Sequence, residues 1–260
     1  MSETASSFGW YELMTTDMEG SAAFYKSVVG WAVNPVGSPE MPYSTFNVDV
    51  DGTSIGVAGL MTLPKEAGQM PAWIGYIHIP DVDAKAKEVV AEGGQLHKGP
   101  IDVPGMLRFA VVVDAQGAPF VLFTSDPRMP ANPLKPAIGA VGTFGWRELM
   151  AVDGPSAMDW YSKLFGWTRG REHDMGPMGI YQLFDIDGVE SGGLMTKPPQ
   201  VPAPFWTFYI QVASVTAAIE LIRASGGMVM NGPMEVPGGS WVLQGQDPQG
   251  AFFALLSAAQ

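Results

Sequence analysis

Phe8-Gly9-Trp10-Tyr11-Glu12-Leu13-Met14 returns 136 positions later as Phe144-Gly145-Trp146-Arg147-Glu148-Leu149-Met150, and this repetition decides the fold. Tyr25 and Gly30 recur at Tyr161 and Gly166 with the same offset. Further along, Gly59-Leu60-Met61 recurs at Gly193-Leu194-Met195, and Trp73 and Tyr76 recur at Trp206 and Tyr209. Asp114, Gly117 and Phe120 map to Asp247, Gly250 and Phe253. The offset drifts only from 136 to 133 over a whole half, so the chain is two homologous domains in tandem and not a short-period solenoid.

Each half divides again. Residues 8–15 read as a strand, and Asp17 caps a helix that runs through Val29 and stops at Gly30. Strand-like stretches follow at 31–36, 43–50 and 54–62, with Asp51-Gly52 as a hairpin signal between the last two. From Trp73 the order repeats: a strand at 74–79, a helix capped by Asp81 or Asp83 through Val90, then Gly93-Gly94 and strands near 95–101, 107–113 and 119–124. The second half places its helices near 155–165 and 215–224. Strand, helix, strand, strand, strand thus occurs four times, an α+β pattern. Four prolines between Asp126 and Pro136 suit a stiff connector, which sets domains at 8–126 and 143–258 with a linker at 127–142. The Pro-rich stretches 64–72 and 197–204 read as spacers inside each half.

Bulk composition narrows the chemistry. With 260 residues, 47% of them hydrophobic and 15% charged, the chain is able to bury two cores of ordinary size. A formal charge of −12 repels phosphate backbones and anionic headgroups, so nucleic acid and membranes are not expected partners. The absence of cysteine excludes disulfides, thiolate catalysis and thiolate metal sites. Histidine occurs only at 78, 97 and 173, and the last two fall in loop or edge stretches that suit the surface. The polar start and the lack of an apolar run of bilayer length lead us to expect a cytoplasmic protein, monomeric or homodimeric.

The spacing from Asp17 to Phe24-Tyr25 to Gly30-Trp31 and the closing Asp247-Pro248-Gln249-Gly250, echoed as Asp114-Ala115-Gln116-Gly117, resemble the vicinal oxygen chelate superfamily. That group includes glyoxalase I, bleomycin and fosfomycin resistance proteins and extradiol dioxygenases. The resemblance implies two βαβββ modules per domain, wrapped into a half-open, cup-shaped mixed sheet, with a divalent metal at its base held by His and Glu. It also locates those ligands: seven residues before each helix-opening residue, which gives Trp10, Ile74, Trp146 and Thr207, and seven after the Asp of the closing turn, which gives Val121 and Ala254. None of these is a ligand of the usual kind, so we expect metal-free cups and no cofactor. A divalent metal held by unexpected residues such as Glu12, His78 and Glu148 stays open, since modules of this superfamily exchange partners.

Strand side chains alternate faces, so residues two and four places beyond the lost ligand positions also point into the cups. These are Glu12 and Met14, Tyr76 and His78, Glu148 and Met150, and Tyr209 and Gln211. A Glu in an apolar cavity has its charged form disfavoured and suits proton transfer, which marks Glu12 and Glu148 as catalytic candidates with Tyr76 and His78 beside them. The remaining cup residues, with Trp10, Trp73, Trp146 and Trp206, suit stacking on a flat organic ligand. Two competing readings stand beside these: both Glu residues hold a strand end by hydrogen bonding, and the tryptophans fill the core. The expected function is binding of a small apolar or aromatic molecule, with Glu-based proton transfer as an added activity. Metal-dependent glyoxalase-type lyase or dioxygenase chemistry is the alternative.

Overall fold

Residues 6–63, 70–128 and 134–260 are described by a computed structural model. The first module comprises β1 (Phe8–Thr15), α1 (Met18–Val29), β2 (Ala32–Pro35), β3 (Tyr43–Val50) and β4 (Thr53–Thr62). The second comprises β5 (Ala72–His78), α2 (Val82–Ala91), β6 (Gln95–Val103), β7 (Leu107–Val113) and β8 (Pro119–Ser125). In the third are β9 (Phe144–Ala151), α3 (Gly154–Phe165), β10 (Thr168–Asp174), β11 (Ile180–Ile186) and β12 (Val189–Thr196). The fourth holds β13 (Phe205–Gln211), α4 (Val215–Ala224), β14 (Met228–Glu235), β15 (Trp241–Gln246) and β16 (Phe252–Ser257).

Local chemistry sets these limits. Asp17, Asp81, Asp153 and Ser214 each accept a backbone N–H of the first helical turn. Gly30 and Gly166 close α1 and α3 at φ 87° and 74°, where a side chain would be strained. Asp51 and Gly52 turn between β3 and β4 with φ 51° and 79°, the pair of positive values that a two-residue hairpin needs. The strands form two eight-stranded mixed sheets, in the orders β2-β3-β4-β1-β5-β8-β7-β6 and β10-β11-β12-β9-β13-β16-β15-β14. Hairpin neighbours are antiparallel, whereas β1 with β4 and β9 with β12 run parallel. The α+β tandem architecture is the one expected. Parts of the linker (129–133) and of the first spacer (64–69) lie outside the described residues.

Compact packing groups the modules differently from chain order. Among the described residues, one compact unit takes 6–9, 74–128 and 147–206, and the other takes 10–63, 70–73, 134–146 and 207–260. The second module therefore packs with the third, and the first with the fourth. In the first-and-fourth unit, the Trp73 indole donates to the Tyr25 hydroxyl at 2.9 Å, and Tyr25 donates to Asp247 Oδ2 at 3.3 Å. Asp247 Oδ1 accepts the backbone N–H groups of Gln249 and Ala251. The second-and-third unit repeats this relay from Trp206 to Tyr161 at 3.1 Å and on to Asp114 at 3.0 Å, with Asp114 holding Gln116 and Ala118. Burial raises both aspartate pKa values above the ordinary carboxyl range, against the pull of these hydrogen bonds. The residues that carry the family resemblance thus join one module to another. Among the described residues, no helix is long and apolar enough to cross a membrane.

Candidate functional site

Strand β1 sorts its side chains by parity. Tyr11, Leu13 and Thr15 are buried, and Tyr11 stacks on Phe144 with ring centroids 3.8 Å apart. The opposite face carries half-buried Trp10 and Met14 with Glu12 between them, only 6% exposed. The parallel register sets Glu12 against Gly59, while Tyr43 starts the next strand but one. Tyr43 lies across the bare backbone of Gly59: a Cβ there would overlap the Tyr43 hydroxyl and come within 2.9 Å of Glu12 Oε2. The Trp10 indole donates to the Tyr43 oxygen at 3.2 Å, and the Tyr43 hydroxyl donates to Glu12. Burial first, and the Glu12 charge second, hold the Tyr43 phenol well above its ordinary pKa, so it stays a proton donor.

The second half repeats the arrangement. Glu148, 9% exposed, faces Gly193 in the parallel register and accepts the Tyr181 hydroxyl at 3.0 Å. A Cβ on Gly193 would overlap the Tyr181 ring. The two tyrosines are equivalent, since Ser44 faces Leu60 as Gln182 faces Leu194. Sequence reasoning missed both. The signal was the repeated Gly of Gly-Leu-Met, which opens room for a large neighbour, together with a Tyr at the start of the matching strand in each half.

The other candidates divide into groups. Tyr76 is buried beside Phe123, at 5.9 Å between ring centroids, whereas His78 is exposed with its ring edge-on to the same Phe123 at 5.3 Å. Met14 pairs with Met61 and Met150 with Met195; Met14 and Met150 are half-buried, two places beyond their Glu, and Met195 is buried. Gln211 is half-buried, and its backbone is bonded to Gly142 and Thr143. Trp73 and Trp206 require a correction to the cup grouping. By strand parity they face away from Tyr76 and Tyr209, and their indoles fill aromatic cores around Tyr25 and Tyr161. His97 is exposed on β6 and His173 half-buried on β10, both edge strands.

In the fourth module, Tyr209, Val242 and Ala254 form a small buried cluster, against which Trp146, Met234, Val236 and Leu256 pack half-buried. Trp146 and Ala254 stand at positions where the resemblance leads one to look for metal ligands. An indole and a methyl group offer a cation no lone pair, and they make apolar surface instead. Among the described residues, no three His, Asp or Glu side chains come together as a metal group. Trp10, Ile74, Val121 and Thr207 complete the expected positions, and this donor set does not fit a divalent cation.

The chain belongs to the Glyoxalase/Bleomycin resistance protein/Dioxygenase superfamily, whose model matches residues 7–122 and again 143–255. A Mycobacterium tuberculosis protein named "Putative glyoxylase CFP32" is 30% identical over 255 residues, covering 96% of this chain and 94% of that one. The anthracycline biosynthesis protein DauV of Streptomyces sp. is 28% identical over 260 residues, covering 95% and 91%. Among solved structures, 2,2',3-trihydroxybiphenyl 1,2-dioxygenase of Sphingomonas wittichii aligns with a TM-score of 0.69 at 12% identity, over 98% of this chain and 91% of that one. The Mn(II)-bound glyoxalase of Novosphingobium aromaticivorans aligns at 0.63 and 15%, over 99% and 83%. At such identities these two likenesses concern the fold alone.

Proposed function

We propose that this protein binds a small apolar or aromatic molecule in metal-free cups, where Glu12 and Glu148 move a proton on it. The observation that carries the reading is the twofold Glu–Tyr pair over a glycine, Glu12 with Tyr43 and Glu148 with Tyr181. A carboxylate placed against apolar walls is a general base, and the phenol bonded to it orients the carboxylate and screens its charge. Half-buried Trp10 and Trp146 offer the ligand aromatic faces to stack on. DauV supports an aromatic ligand by its name, anthracyclines being fused-ring aromatic compounds.

The test uses calorimetric titration with a panel of fused-ring aromatic ketones, followed by NMR of C–H exchange into deuterated water. We expect at least one ketone to bind with a Kd of about 1 μM to 1 mM, and its acidic C–H to exchange faster with the protein present. Glu12→Gln combined with Glu148→Gln keeps the binding and loses the exchange. An absence of heat from the whole panel, or exchange at full rate in the double variant, refutes the proposal. A second reading, metal-dependent lyase or dioxygenase action, takes its support from the superfamily, whose description includes glyoxalases and dioxygenases. Stoichiometric Ni, Zn, Fe or Mn in protein purified without chelators would move the assignment there.

A further inference from the structure

Four residues in register cross the fourth module: Asn231 on β14 faces Gln244 on β15, Gln244 faces Ala254 on β16, and Ala254 faces Tyr209 on β13. The Gln244 amide reaches past Ala254 and donates to the Tyr209 hydroxyl oxygen at 2.9 Å. Only a small side chain between them allows this reach, and Ala254 is fully buried. At the other end, Asn231 Nδ2 donates to Gln244 Oε1 at 3.3 Å. A primary amide has two N–H donors and a planar frame, so fixing one donor and the oxygen also fixes the direction of the second donor. Gln244 is half-buried, and the Tyr209 to which it donates belongs to the apolar cluster against which Trp146, Met234, Val236 and Leu256 pack.

The corresponding row in the second module runs Lys98, Val111, Val121 and Tyr76. There, valine stands in place of both Gln244 and Ala254. Neither valine carries a hydrogen-bond donor on its side chain. At the Gln244 position the halves therefore differ by one amide.

We propose that Gln244 is a specificity-determining residue of the second half, its amide donating to an acceptor oxygen on an aromatic ligand, such as a ring carbonyl. In the second module Val111 stands at that position and offers no amide. This rests on the binding function proposed above and names a ligand class for one of its two sites. A site with a pre-oriented donor discriminates against an analogue that lacks the acceptor, because desolvating the amide without a partner is costly.

The experiment is calorimetric titration of the whole chain with 1,4-naphthoquinone and with naphthalene. Two ligands of the same ring size thus differ in carbonyls alone, and the lack of cysteine removes thiol addition to the quinone. We expect the wild type to prefer the quinone about tenfold, which is about 1.4 kcal/mol. Gln244→Val, which copies Val111, abolishes that preference, and naphthalene affinity rises because no amide is left to desolvate. Asn231→Ala, at an exposed edge position, reduces the preference by freeing the amide, and it serves if the first variant folds poorly. Equal affinities in the wild type, or a preference that survives both substitutions, overturn the assignment of Gln244 and leave the cup reading standing. An absence of heat from both ligands overturns the assignment of Gln244, and the same silence across the panel of fused-ring ketones overturns the cup reading with it.

Discussion

Two carboxyl groups, Asp114 and Asp247, tie modules together at the level of single residues. Each sits at a module junction, 4% exposed, and takes two backbone N–H groups and one tyrosine hydroxyl. Burial is the leading cause of their raised pKa values. The folded state therefore holds the proton more tightly than the unfolded chain. The stabilisation from that proton is complete below the ordinary carboxyl pKa and is lost as pH rises through the raised folded value. Asp247→Asn removes this dependence and deprives Tyr25 of its acceptor. We expect the variant to be less stable than the wild type, by more at about pH 4 than at about pH 7. Thermal melts at the two pH values check it, and a gap that narrows in acid contradicts the raised pKa.

Strand register links the candidate site to the sheet. Gly193 lies between β11 and β9, opposite Glu148, and its missing side chain lets Tyr181 cover that position. Gly193→Ala forces the ring away from Glu148, a case of overpacking that we expect to cost about 1–3 kcal/mol in urea denaturation. Wild-type stability in that variant means that Tyr181 has room elsewhere. Elements were largely legible in the sequence because their signals are local: Asp17, Asp81, Asp153 and Ser214 as caps, Gly30 and Gly166 as stops, Asp51-Gly52 as a turn. Glu12 and Glu148 were legible as buried polar residues on the half-exposed strand faces. Tyr43 and Tyr181 were not, because the contact to each Glu spans more than thirty residues and depends on pairing between strands. Trp73 and Trp206 were misplaced for a related reason. Composition marks an aromatic residue, but only its parity on β5 or β13 tells core from cup.

For the molecule as a whole, chain order and packing order disagree. Each compact unit draws one module from either half, so a half expressed alone lacks the partners of its own core. The fragment 1–128 keeps Tyr25 and Trp31 but loses Asp247 and the Gly142 carbonyl that accept from them. We expect 1–128 and 134–260, made separately, to lack the near-ultraviolet circular dichroism of a folded monomer, and to regain it when mixed. A well-folded monomer from either fragment alone contradicts the module exchange. The same exchange constrains biosynthesis. During translation, the segments that build one unit have all emerged once Trp206 leaves the ribosome, but Tyr25 must wait for Asp247, made 222 residues later. The first module therefore keeps a bare aromatic flank until the fourth is made, a natural client for chaperones that shield nascent chains.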